Sequence, residues 1–77
     1  MGRMPVPRPS FLDDCDYLGF IRGARRWRSK DGKRLFTWDS LHGEIEVFDL
    51  LGRHAGVLNA AGEWQKGPIR GRRIDVR

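Results

Sequence analysis

The sequence contains little cysteine and little histidine, and it has no long apolar run. The single cysteine excludes an internal disulfide. No stretch approaches the ~18 consecutive apolar residues of a transmembrane helix, and the basic N-terminus does not resemble a signal peptide. Cys15, His42 and His54 lack the spacing of metal ligands, and no carboxylate cluster suits a hard cation. We therefore expect no cofactor and no metal.

The chain is short, at 77 residues, which predicts one domain near the lower limit at which a single core is stable. Hydrophobic residues make up 39% of it, including three Trp and four Phe, enough for one thin core layer. They are too few to enclose a deep pocket. We therefore expect function on an open, solvent-facing surface.

Positive charge is in excess, with a formal net charge of +5. Seven Lys or Arg residues lie in 22–34 against one acid, Asp31, and five lie in 66–77 against one acid, Asp75. Such charge indicates a partner rather than a fold, with nucleic acid first and an acidic protein second. The alternative is that these residues simply form a solvated surface.

Turn residues divide the chain into short elements. Residues 1–9 contain three prolines and predict an irregular arm. Ser10 is a good N-cap for a short helix from Phe11 to Leu18, which Gly19 would end. Strands are predicted over 25–28, 34–39, 42–50, 54–59 and 64–66, and a last short one could form at 72–76. The prediction is one α+β domain, residues 10–77. In it, the short N-terminal helix packs on one highly twisted antiparallel sheet of about four to five strands.

The stretch Trp38–Glu46 carries the polar groups that could perform chemistry. Strand alternation places His42, Glu44 and Glu46 on one face, and a bend could bring Asp39 against the imidazole. Cleavage of RNA needs a base, an acid and a cation, because the 2′-hydroxyl of the substrate is the nucleophile. Each residue alone also has a simpler interpretation as a surface or turn residue. His54 could be a second catalytic imidazole or an exposed residue beside a turn.

Three runs taken together resemble a known family: Trp27–Arg34, Trp38–Glu46 and Lys66–Pro68. They are similar to the cytotoxic ribonuclease domain of the ribosome-inactivating colicins and cloacin, over about residues 26–74. The resemblance implies a short helical portion packed on a twisted antiparallel sheet. It also implies an endoribonuclease toxin that cuts 16S ribosomal RNA once, at the decoding site, and so stops translation.

The resemblance also implies roles for individual residues. Glu46 would be the general base, His42 the acid or a phosphate-binding imidazolium, and Asp39 would orient His42. Arg72 would stabilise the phosphorane charge. Which of Glu46 and His42 is the base stays open. Secondary site residues are Glu44, Arg70 and Arg73, and the candidate RNA-binding cations are Arg25, Arg26, Arg28, Lys30, Lys33, Arg34 and Lys66.

The implied partners are the ribosome with its RNA and an acidic immunity or antitoxin protein. We expect a monomeric toxin, free-standing or excised from a longer protein, that acts in the bacterial cytoplasm and does not bind membranes. One alternative is a toxin with the same catalytic residues that cleaves transfer RNA. Another is a non-catalytic basic RNA-binding or ribosome-associated module, in which Trp27, Trp38 or Trp64 stacks on bases.

Overall fold

Six antiparallel strands form one sheet in the computed structural model, which describes residues 3–76. The strands are β1 (Asp16–Ile21), β2 (Ala24–Arg28), β3 (Arg34–Asp39), β4 (Glu44–Asp49), β5 (His54–Leu58) and β6 (Trp64–Lys66). Each strand pairs with the next one along the chain, so the sheet is a meander joined by short turns. The predicted α+β class is wrong, because the helical structure of residues 3–76 is a single 3-10 helix, Phe11–Asp14.

The N-terminal helix was predicted too long, although its start was predicted at the right residue. Ser10 caps the 3-10 helix through a capping box with Asp13. The helix ends after one turn, and the chain from Asp16 onward forms β1 instead. An eight-residue helix is marginal in water, whereas pairing with β2 satisfies the backbone of an aromatic and apolar segment. Gly19 does not end a helix but lies at a β-bulge, with a φ of 117°.

The other strands lie close to their predicted positions. β3 and β6 match the predicted limits, and β5 ends one residue earlier than expected. β4 begins at Glu44, so His42 lies in the preceding turn rather than on the strand. The predicted strand at 72–76 is reduced to an isolated bridge between Arg53 and Arg73. The count of four to five strands is wrong because β1 was assigned to the helix.

The main hydrophobic cluster covers one face of the sheet, and Leu35, Phe48 and Val57 are buried on the other. The buried members of the main cluster are Leu12, Trp27, Phe36, Trp38, Ile45, Val47 and Leu58. Ile45 and Val47 are fully buried in β4, and each such side chain contributes roughly 1.5–3 kcal/mol of hydrophobic stabilisation. The residues that alternate with them along β4, Glu44 and Glu46, therefore point to the opposite face. Both carboxylates therefore lie on the face of the sheet opposite the main hydrophobic cluster, which we call the second face.

Two irregular segments complete the structure. The N-terminal arm, residues 3–9, has no strand or helix, but it packs on β3: Trp38 Nε1 donates to the Met4 carbonyl at 2.7 Å. The C-terminal segment, residues 67–76, follows the edge of β5, where the N–H of His54 donates to the Arg72 carbonyl at 3.0 Å. It then reaches β2, where Arg26 donates to the Asp75 carbonyl at 2.7 Å. It thus crosses the face that carries Glu46. Across residues 3–76 no helix has the length and apolarity required to cross a bilayer.

Candidate active site on the second face of the sheet

Asp39 and His42 form a hydrogen-bonded pair in the β3–β4 turn. One Asp39 oxygen accepts the backbone N–H groups of Leu41 and His42, at 3.0 and 3.2 Å. The other lies 2.7 Å from Nδ1 of His42. Because an ionised carboxylate only accepts, Nδ1 carries a hydrogen and Nε2 is left for a substrate. The imidazole side chain is 63% exposed, so Nε2 is accessible.

The electrostatics of this pair favour an ionised Asp39. Partial burial taken alone would raise the pKa of Asp39. The hydrogen bonds from the His42 side chain and backbone, the charge of His42 and the Leu41 N–H outweigh it, and the pKa of Asp39 is lowered from its ordinary value. Asp39 therefore stays a carboxylate, able to hold His42 in one tautomer and one orientation.

Glu46 lies in a second cluster on the same sheet face. Its side chain is only 12% exposed, and one oxygen, Oε1, receives two donors. His54 Nε2 and Arg72 both lie 2.8 Å from that oxygen. Within residues 3–76 no donor reaches the second oxygen, Oε2. Glu46 is thus held firmly at one oxygen and left open at the other.

The C-terminal arginines differ in what they contact. Arg72 is the one whose guanidinium reaches Glu46, whereas Arg73 forms a backbone bridge with Arg53. Arg70 is exposed, and in the described part of the chain it makes no contact with Glu46. Glu44, the secondary carboxylate, forms a looser ion pair of 3.7 Å with Lys66. Predicted site residues from β4 and from the C-terminal part of the chain therefore lie together on one face of the sheet.

His54 is the residue whose role the sequence did not reveal. Its side chain is fully buried, which rules out the alternative of an exposed residue beside a turn. It lies at the start of β5 opposite Phe48, with the two rings edge to face at 5.3 Å. The available signal was its position at the start of a strand beside β4, whose carboxylates could supply the polar partner that a buried histidine requires.

The N-terminal arm also contributes to the site, by holding the turn that carries His42. The Met4 N–H donates to the Ser40 carbonyl at 2.8 Å, and the Met4 side chain lies against Gly43. Gly43 has a φ of 67° where the turn enters β4, a conformation that favours glycine. The arm therefore supports the turn that carries His42.

The candidate RNA-binding cations are distributed over both faces. Lys66 reaches Glu44, and Arg28 pairs with Leu35 on the face of Glu46. Arg34 lies over Trp64, 5.5 Å from the ring centre, on the core side. The other exposed cations in this set are Arg25, Lys30 and Lys33, with Lys30 paired to Asp16 at 3.1 Å.

Arg26 is the exception among these cations, because it is 5% exposed and its guanidinium holds the C-terminal segment. Its place is structural, which leaves the exposed arginines and lysines as the groups available to phosphates. Over residues 3–76, no three His, Cys, Asp or Glu side chains group together as a metal site.

Comparison with known proteins was made for the whole chain. A family model described as Cytotoxic matches residues 19–75, which includes all six strands except the first three residues of β1 and includes every predicted site residue. A comparison with curated proteins found no match.

Proposed function

The chain belongs to the Cytotoxic family, and from this premise we propose that it is a toxin that cleaves RNA within the ribosome. The observation that carries the proposal is that two hydrogen-bonded units lie on the same side of the β3–β4 hairpin. One is the exposed imidazole of His42, oriented by Asp39, and the other is the carboxylate of Glu46, held by Arg72. Together they supply a proton donor, a proton acceptor and a cation.

The proposed reaction is attack by a 2′-hydroxyl on the adjacent phosphate. Oε2 of Glu46 takes the 2′-hydroxyl proton as the 2′-oxygen bonds to phosphorus. Nε2 of the charged His42 gives a proton to the 5′-oxygen as the bond from phosphorus to that oxygen breaks. The products are a 2′,3′-cyclic phosphate and a free 5′-hydroxyl. Arg72 stabilises the charge on the phosphorane between these steps.

Metal-free chemistry is part of the proposal, because each required role has a side chain. His42 is assigned the acid, since Nδ1 is bound to Asp39 and Nε2 is the accessible nitrogen. Glu46 is assigned the base, since one carboxylate oxygen stays open. Lys66 and Arg28 are exposed cations on the same sheet face as Glu46, and such charge suits a long polyanion better than a small molecule.

The finer proposal is one cut in 16S ribosomal RNA at the decoding site. It rests on the resemblance of Trp38–Glu46 and Lys66–Pro68 to the ribosome-inactivating colicins. It includes action in the bacterial cytoplasm as a monomer, and restraint by an acidic immunity or antitoxin protein. Such a protein would compete with RNA for the same exposed cations.

The test is primer extension on ribosomes treated with the purified protein, with end-group analysis of the fragments. We expect one stop at the decoding site, a 2′,3′-cyclic phosphate end and activity that persists in excess chelator. His42→Ala should abolish the stop and leave RNA affinity nearly unchanged.

Cleavage of transfer RNA alone would assign the same chemistry to another substrate. Salt-sensitive RNA binding without any cleavage would indicate a non-catalytic module. Loss of activity with chelator would refute the metal-free mechanism.

A further inference from the structure

His54 makes hydrogen bonds through both ring nitrogens, one on each side of a buried ring. Nδ1 lies 2.9 Å from the backbone nitrogen of Ile69, and Nε2 lies 2.8 Å from Oε1 of Glu46. A backbone N–H can only donate, so Nδ1 must be the acceptor. The ring hydrogen of the neutral imidazole is therefore on Nε2, and it points at Glu46.

The backbone of His54 adds a third bond to the same segment. Its N–H donates to the Arg72 carbonyl at 3.0 Å, and the Arg72 N–H in turn donates to the Ile69 carbonyl at 3.2 Å. One residue thus contacts Glu46, the segment at Ile69 and the segment at Arg72. The guanidinium of Arg72 approaches the same Glu46 oxygen that His54 contacts.

We propose that His54 is the positioning residue of this site. Its hydrogen bonds to Ile69 and Arg72 form a latch that holds the C-terminal segment against β5 and so places the Arg72 guanidinium beside Glu46. Its hydrogen bond to Glu46 orients that side chain so that Oε2 is the oxygen that faces the substrate. This inference rests on the proposed function for its effect on cleavage. The hydrogen-bond pattern itself does not depend on that function.

A catalytic role for His54 itself is disfavoured by the same geometry. The side chain has no exposed surface, and neither nitrogen is left for a substrate. Protonation of Nδ1 would set its N–H against the Ile69 N–H, which would break the latch. His54 therefore acts through Glu46 and Arg72 and does not exchange a proton with RNA.

Two substitutions separate the two functions of the ring. In His54→Asn, the side-chain oxygen can still accept from Ile69, but no group reaches Glu46. In His54→Gln, the longer amide can donate to Glu46, but it leaves Ile69 without its acceptor. Each variant therefore removes one of the two side-chain hydrogen bonds of His54 and keeps the other. Thermal unfolding of each variant shows whether it still folds.

We expect the two variants to differ in the size of their effect on kcat. His54→Asn should lower kcat on the order of 10²-fold with little change in KM, because Glu46 loses its orientation. His54→Gln should lower kcat by less than about tenfold, because the longer amide still donates to Glu46 while the Arg72 guanidinium, which stabilises the phosphorane, is held less firmly. In that variant the Ile69 amide should also lose its protection from hydrogen exchange. Equal losses in both variants would reduce His54 to a packing residue and overturn the proposal.

The decisive measurement on the unaltered protein is nitrogen NMR of the imidazole rings near neutral pH. We expect one histidine with a hydrogen on Nε2 and none on Nδ1, assigned to His54 by its loss in either variant. A hydrogen on Nδ1 of His54 would overturn the latch even if the protein cleaves RNA. A correct tautomer in a protein that cleaves no RNA would instead refute the proposed function alone.

Discussion

Replacing Glu46 by Gln should separate catalysis from folding. The amide keeps the shape of the side chain and an oxygen that accepts from His54 and Arg72, but it cannot take the 2′-hydroxyl proton. Removal of a general base lowers the rate by typically ~10²–10⁴-fold. We expect a loss of that size in the cleavage of ribosomal RNA by Glu46→Gln.

The stability cost of this change follows from the contacts. The partner guanidinium of Arg72 is 48% exposed, so solvent screens the ion pair and its loss costs at most ~1 kcal/mol. The hydrogen bond from buried His54 becomes neutral, which costs about another 1 kcal/mol. Against the ~3–5 kcal/mol of so small a domain, roughly 80% or more of the variant stays folded. Unfolding therefore cannot account for the expected loss of activity.

The assay pairs single-turnover cleavage of ribosomal RNA with urea unfolding of the same preparations. Glu44→Gln is the matched control, because Glu44 lies on the same strand and face and its ion pair with Lys66 is looser, at 3.7 Å. We expect it to reduce cleavage by less than about tenfold. Cleavage by Glu46→Gln within about tenfold of the unaltered protein would refute the assignment of Glu46 as the base.

Two further predictions concern stability. Because the pKa of Asp39 is lower in the folded protein than its unfolded value of ~3.9, its stabilising contribution is complete above that pH and is lost as the pH falls through the folded value. The urea midpoint of unfolding, measured from pH 7 to pH 3, should decrease once the pH is below about 4. Asp39→Asn should make this decrease shallower, and an unchanged decrease would contradict the assignment. A Cβ on Gly56 would lie 2.6 Å from the Trp64 ring and 2.7 Å from the Lys66 carbonyl oxygen, so Gly56→Ala should destabilise by ~1–3 kcal/mol. Gly67→Ala, which meets open space, should change the midpoint by no more than ~0.5 kcal/mol, and equal effects of the two substitutions would refute the packing argument.

The sheet could be predicted where local signals agree with pairing. Alternation of Ile45 and Val47 with Glu44 and Glu46 marked β4, and β3 and β6 have the limits that the sequence predicted. Prediction failed at β1, where a genuine N-cap at Ser10 was extended into a helix. The N-cap signal at Ser10 indicates only where a helix starts. The helix ends after one turn because the residues that follow pair with β2, a contact with a separate segment that the cap does not indicate.

Local chemistry in the sequence by itself determined the Asp39–His42 unit, because only two turn residues separate a carboxylate from an imidazole that it can reach. It also determined the basic surface and the two carboxylates on one face of β4. Only the tertiary structure decided which arginine meets Glu46 and that His54 is buried between them. The contact between Arg72 and Glu46 joins residues that are 26 positions apart, and the contact between His54 and Glu46 joins residues that are 8 positions apart. Both depend on the path of the C-terminal segment across the sheet, which no local pattern encodes.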